Sequence, residues 1–271
     1  RIKIILTGSS STLIQSVIST KLSGRFFHIK ILPLSFKEYL LFNNLENPTL
    51  IEKKQHLQTY LKFGAFPRVV LEKNDTIKTE ILKNYFQTIY LKDIIYPNNL
   101  RNNRDVFELL YLIISNCGKP FSYNSLADTL KISVETVKEY IRYAEESYLL
   151  STLAKFDYSA KKQIANPKKA FCIDTGLINA ASFKFSEDKG RLIENLVHTS
   201  LLRQETEIFY HKEKHECDFL LKKDLNIFQA IQVTLTLNNK QSKRRETKGL
   251  LEAIEKYKLR EVIDGLKKFK N

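Results

Sequence analysis

Four polar positions in the second half of the chain have the residue types and spacing of a cation-handling site. Glu194 interrupts the apolar run of Ile193, Leu196 and Val197, Asp218 closes the triplet Glu216-Cys217-Asp218, and Gln232 and Thr234 form an i, i+2 pair within Ala-Ile-Gln-Val-Thr. A carboxylate on an apolar helix face needs a partner, an ion or solvent. Glu194 and Asp218 are therefore the candidate metal ligands, because Mg²⁺ is a hard ion content with few protein oxygens and several waters. With Gln232 and Thr234 they are also the candidate catalytic positions, although two-metal hydrolysis asks for more carboxylate than this. His211, His215 and Cys217 form H-x3-H-x-C. That spacing is not a recurrent structural zinc pattern, and the intervening Lys212-Glu213-Lys214 reads as a solvated hairpin turn. Asp174 is either a further acid approaching the cluster or a turn former at a strand end.

The elements that must position these residues follow from periodicity. Side chains on a strand alternate faces, so Asp218 is expected to share a face with Glu216 and Leu220, and Gln232 and Thr234 to project opposite Ile231, Val233 and Leu235. Ser186 is the expected cap of the Glu194 helix, and residues 170–173 read as a strand followed by the turn Asp174-Thr175-Gly176. The tail from Lys240 to Asn271 carries 11 basic and 5 acidic residues, net +6, on a helix expected to bury Leu250, Leu251, Ile254 and Tyr257. Lys240, Lys243, Arg244, Arg245 and Lys248 cluster near its start and are candidate phosphate contacts, against the alternative of a solvated face.

Upstream, residues 49–71 read as a helix stopped by Gly64 and Pro67, and residues 76–96 as one long core-facing helix. Residues 104–158 then give helices over 105–116, 125–130 and 134–148, with Ser133 as an N-cap, and a strand over 149–153, which is helix-turn-helix order. The third helix exposes Glu135, Lys138, Glu139, Arg142, Glu145 and Glu146, two basic against four acidic. Phosphate is repelled by that face, so protein docking or a structural role is favoured over base reading. The segment after the strand is friendlier to phosphate, since Lys155, Lys161, Lys162, Lys168 and Lys169 outnumber Asp157.

At 271 residues the chain is expected to form two or three units. A formal net charge of +14 attracts polyanions, nucleic acid or an anionic membrane surface. The sequence contains no apolar run of the roughly 20 residues needed for a spanning helix and no signal peptide, so no membrane partner is expected and a cytoplasmic location is. Three widely separated cysteines without C-x-x-C spacing argue against structural disulfides. The chain opens on Arg and contains no Met, from which a longer natural product is expected.

A collinear series carries a resemblance over nearly the whole chain: I-L-T-G-S-S, L-S-G-R, I-L-P-L-S-F-K-E-Y-L, F-G-A-F-P-R-V-V, I-Y-L-K-D-I-I, F-C-I-D-T-G-L and G-R-L-I-E-N-L-V. It resembles a family of prokaryotic AAA-type ATPases in which a P-loop core is followed by a winged helix and a restriction-endonuclease-like domain. The resemblance implies an α/β plus all-α chain: the end of an AAA core over 1–45, a helical connector over 46–103, a winged helix over 104–158 and a restriction-endonuclease-like α/β domain over 159–271. It implies Ser9 as the sensor side chain near the γ-phosphate and Arg25 as a finger-like contact to nucleotide across a subunit boundary in a homo-oligomer. Read from the residues alone, Ser9 is a turn or N-cap and Arg25 a solvated turn arginine. It also implies ATP and Mg²⁺ in a full-length parent. In the nuclease-like family the Asp is followed by Glu-x-Lys or Asp-x-Lys, and Gln232 and Thr234 stand at those positions here. That substitution points to a degenerate site, a nucleic-acid-binding or adaptor module. A metal-dependent nuclease and a protein-interaction scaffold are the alternatives.

The phosphate cradle G-x-x-x-x-G-K-[ST] does not occur in this sequence. A ligand that binds only the folded state raises the melting temperature. The chain is therefore expected to show no thermal shift with sub-millimolar Mg-ATP, and a clear shift would contradict that expectation.

Overall fold

The computed structural model describes residues 29–181, 188–204, 206–234 and 240–259, together with residues 5, 7, 8 and 27. Among them the backbone is mixed α/β, with eleven α-helices, a π-helical turn and two small three-stranded sheets. Two compact units separate, one within residues 1–116, 123–151 and 172–184, the other within 117–122, 152–171 and 185–271.

The first unit is helical. Helices α1 (Phe36–Phe42) and α2 (Leu50–Phe63) open with reciprocal capping boxes, Ser35 with Glu38 and Thr49 with Glu52, so their orphan N–H groups are satisfied locally. α3 (Pro67–Leu71) starts on proline, and α4 (Asp75–Thr88) is capped by Asn74. The single helix expected over 76–96 instead changes winding, because Ile89–Ile95 is π-helical. α5 (Asn103–Ser115) buries Val106, Leu109, Leu110, Ile113 and Ile114. α6 (Tyr123–Leu130) and α7 (Val134–Glu146) follow, the latter capped by Ser133 as its sequence position suggests.

The end of α2 is finished by the segment that leads into α9 (Thr175–Ala181). The Thr175 hydroxyl donates to the Tyr60 carbonyl (3.1 Å), and the Asn179 amide donates to those of Leu61 (2.9 Å) and Lys62 (2.6 Å). Helix-end carbonyls that α2 cannot pair itself are thereby satisfied across more than a hundred residues of sequence. The buried Asp174 carboxylate accepts from Ala65 N (2.7 Å) and Gly176 N (2.8 Å), which settles its reading as a turn and helix-start residue. Gly64, with φ of +73°, fits because a Cβ there would overlap the Asp174 carboxylate.

The second unit holds the acidic residues. β1 (Pro120–Phe121) pairs antiparallel with β3 (Lys168–Cys172), Pro120 opposite Lys169, and β2 (Leu150–Ala154) lies on the other side of β3. After α8 (Ala160–Ala165) and α10 (Lys189–Leu201) come β4 (Glu207–Lys212), β5 (Glu216–Lys223) and β6 (Asn226–Ile231), an antiparallel meander. α10 starts at Lys189 on an Asp188 cap, not at Ser186, which lies outside the described residues. α11 (Lys240–Tyr257) packs on this sheet. Gly249 lies against the Glu216 backbone, where a Cβ would overlap the Glu216 carbonyl. The buried residues of α11 are Gly249, Ala253 and Tyr257, with Leu250 packed on the same cluster; Tyr257 is buried as expected, whereas Leu251 is 55% exposed, a correction.

β5 breaks the simple alternation. Phe209 pairs with Leu220 but His211 with Cys217, so two steps on β4 face three on β5. The bulge puts Cys217 and Leu220 in one apolar cluster with Ala253 and Tyr257, and Phe219 and Leu221 in another with Phe171 and Tyr210. Period-two reading across residues 217–220 fails for this reason, and Leu220 does not accompany Asp218 as expected.

Burial pushes the Asp174 carboxyl up from 3.8 to about 6 despite its backbone donors. A raised folded-state value means that the proton favours folding, so this contribution is complete below about pH 4 and is lost as pH rises through about 6. Urea melts of the parent and Asp174→Asn are expected to diverge over that window by about 3 kcal/mol, the parent losing stability relative to the variant. Parallel pH profiles would contradict this.

Candidate functional site

Glu194 sits in the middle of α10 because its neighbours Leu192 and Asn195 bury on the same helix, and Glu216 and Asp218 enter from the start of β5. The structure brings the three acids together around one side chain the sequence reading had placed elsewhere. The ammonium of Lys169 on β3 lies 2.8 Å from Glu194 Oε1, 2.8 Å from Glu216 Oε1 and 3.7 Å from Asp218 Oδ1. Its side chain is 1% exposed, which corrects the expectation that Lys169 joins a phosphate-facing surface. The Tyr210 ring, 5.6 Å from the ammonium, forms part of its surroundings. Tyr210 in turn donates its hydroxyl to the Pro167 carbonyl at 2.6 Å, just before β3.

Electrostatics follow from this packing. Burial alone would lower the Lys169 value, yet Glu194, Asp218 and Glu216 hold it above the ordinary lysine range, so the ammonium is permanently charged. Burial pushes Glu194 up, with Lys169 opposing. Glu216 ends below its ordinary range, because Lys169 and then Lys212, 2.8 Å from its second oxygen, outweigh burial. Asp218 uses Oδ2 to accept from Gln232 Nε2 (2.9 Å) and from Val233 N (2.8 Å). Gln232 thus acts as a donor that orients Asp218. β6 ends at Ile231, so Gln232 and Thr234 lie beyond the strand on which they were expected, and Thr234 is exposed.

Lys169 was missed because it sits beside Lys168 in a basic run, where both read as solvated. The available signal was the strand Lys-Ala-Phe-Cys, whose burial makes one of the two lysines inward-facing.

The zinc spacing has other partners. His211 is buried, with Nδ1 3.1 Å from the Tyr257 hydroxyl and Nε2 2.9 Å from Glu252. The Cys217 thiol lies 3.5 Å from the Ile231 carbonyl, and burial pushes it up to about 12. Among the described residues, His211, Glu213 and Glu252 are close enough to share an ion, but Glu213 is already paired with Lys256.

The candidate cationic contacts are scattered. Lys161 and Lys162 are exposed on α8, and Lys248 is exposed on α11. The side chains of Lys240, Lys243, Arg244 and Arg245 lie outside the described residues, as do Ser9 and Arg25. No helix among the described residues is long and apolar enough to cross a membrane.

Residues 1–40 match an AAA domain. Residues 54–188 match a domain of unknown function, DUF8612. The chain is 36% identical over 275 residues to the uncharacterized protein MJ1544 of Methanocaldococcus jannaschii, covering 96% of this chain and 61% of that protein. It is 29% identical over 261 residues to an uncharacterized protein of Haemophilus influenzae, covering 94% of this chain and 64% of that protein. The chain therefore spans about three fifths of the length of the curated relatives it matches. No solved structure matches it.

Removing one partner of a buried ion pair typically costs about 3–5 kcal/mol, because the other charges remain buried and uncompensated. Lys169→Met is expected to lose that much at neutral pH, with Glu194→Gln in the same chain recovering part of it. Without the ammonium the folded-state carboxyls titrate higher, so stability falls as pH rises and the deficit should be greater at about pH 8 than at about pH 5. Chemical denaturation of the parent, both single variants and the double variant at both pH values checks this; an additive double variant with a pH-independent deficit would contradict it.

Proposed function

We propose that the chain works as the C-terminal portion of an AAA-type ATP-binding protein and serves there as a nucleic-acid-binding or adaptor part that does not cleave. The observation that carries this is the AAA-domain match over residues 1–40, in a chain similar over nearly all its length to longer proteins. ATP and Mg²⁺ belong to that larger protein. Ser9 and Arg25 fall inside the matched segment, whereas the sequence holds no phosphate cradle of its own.

In this reading α5, α6, α7 and β2 make a winged-helix module. Base reading by α7 is disfavoured by what engages its cations: Arg142 pairs with Glu146 on the same helix (2.7 Å), and Lys138 lies over the Tyr123 ring (5.9 Å). That acidic face suits a protein partner. Nucleic acid is assigned instead to exposed Lys161, Lys162 and Lys248 and to the neighbouring cluster of Lys240, Lys243, Arg244 and Arg245. The acid cluster of the second unit is a restriction-endonuclease-like site that has lost cleavage, since Gln232 donates to Asp218 where that family places an acid.

Weak duplex binding independent of sequence should follow, with strong salt dependence. Replacing Arg244, Arg245 and Lys248 by Ala is expected to flatten the slope of log affinity against log salt by about two to three units. An unchanged slope would remove nucleic acid as the partner of these residues.

A further inference from the structure

We propose that Lys169 is the resident cation of the second unit, its ammonium taking the seat among Glu194, Glu216 and Asp218 that a divalent ion takes in nuclease-like sites. This rests on the restriction-endonuclease-like reading above and makes it specific. Three carboxylates converge from α10 and β5, which is the donor chemistry Mg²⁺ or Mn²⁺ prefers. The residues nevertheless do not fit a metal. Lys169 Nζ already occupies the centre of the cluster, 2.8 Å from both Glu194 and Glu216, the length of a charge-assisted hydrogen bond.

Charge counting points the same way. Glu194, Glu216 and Asp218 supply three negative charges and Lys169 and Lys212 two positive ones, which leaves −1 for an incoming dication. Asp218 Oδ2 is already occupied by two N–H donors. Lys169 is also fixed in place: it lies within β3, its Cα opposite Pro120 on β1, and it is buried along its whole length. An ion entering the cluster would have to expel a charged side chain into an apolar surround. The lysine thus gives the unit the electrostatic balance of a metal-loaded site with no metal to lose, and Gln232 positions Asp218 by donating a hydrogen bond that a second carboxylate could not supply.

Titration calorimetry with MnCl₂ tests this on the parent, Lys169→Met, and Lys169→Met with Asp218→Asn. The parent is expected to show no saturable site and no change in melting temperature with Mn²⁺. Lys169→Met should bind one Mn²⁺ about tenfold or more tighter than the parent and regain thermal stability on binding, and the added Asp218→Asn should abolish both. Lys169→Gln, whose amide can still donate to the carboxylates, serves if Lys169→Met does not fold, and the parent measurement depends on neither. A Mn²⁺ site in the parent that Asp218→Asn removes, or variants that gain no affinity, would overturn the proposal. Incubation of the parent with duplex and Mn²⁺ separates this from the underlying reading: cleavage lost on Asp218→Asn overturns the non-cleaving assignment, whereas unimproved variants of a protein that does not cleave overturn the resident-cation assignment alone.

Discussion

A buried ammonium among three carboxylates is the constraint on which the second unit depends. Lys169 reaches Glu194 on α10 and both Glu216 and Asp218 on β5, so one charge joins a helix and two sheets. Buried ion pairs are seldom a source of net stability, because desolvation consumes most of the attraction. What they impose is geometry: the acids are tolerable only while β3, α10 and β5 hold their places around the lysine. The β5 bulge belongs to the same arrangement, since Glu216 and Asp218 both face Lys169 while Cys217 and Leu220 turn into the cluster under α11.

The first unit handles its buried charge differently. Asp174 meets backbone N–H groups instead of a cation, accepting from Ala65 and Gly176 while Thr175 and Asn179 close the end of α2. Donors without a full counter-charge leave burial dominant, and the carboxyl rises to about 6. Glu216 is only partly buried, and facing Lys169 and Lys212 it moves the opposite way. Asp174, buried with only backbone donors, is pushed up, and the partly exposed Glu216, facing two ammonium groups, is pulled down.

Much of the helical part was legible in the sequence. The Ser133 cap and the order of the helices flanking it follow from local rules, and so does Gly64, whose stop at the end of α2 needs a positive φ. Glu194 and Asp218 were legible as candidate acids because an apolar helix face and a strand edge leave few other uses for carboxylates, whereas Glu216 was read only as sharing a face with Asp218. The rest depended on long-range placement. Lys169 is chemically indistinguishable from Lys168 until β3 is known to be buried, and the β5 bulge is invisible to a period-two pattern. Gln232 lies just past the end of β6 rather than within a strand, and neither that position nor its role as a donor could be read without seeing Asp218 beside it. Neither was the winding change at Ile89 readable, since its stripe of apolar residues suits α- and π-helical turns alike.

The central claim is that a lysine, not a metal, balances the acids of the second unit. Anomalous diffraction at the manganese edge from crystals grown in MnCl₂ tests it most directly. The account predicts no anomalous peak between Glu194 and Asp218, with Lys169 Nζ in hydrogen-bond contact with Glu194 and Glu216. A manganese peak bound by Glu194 and Asp218, with the Lys169 side chain displaced from the cluster, would contradict it.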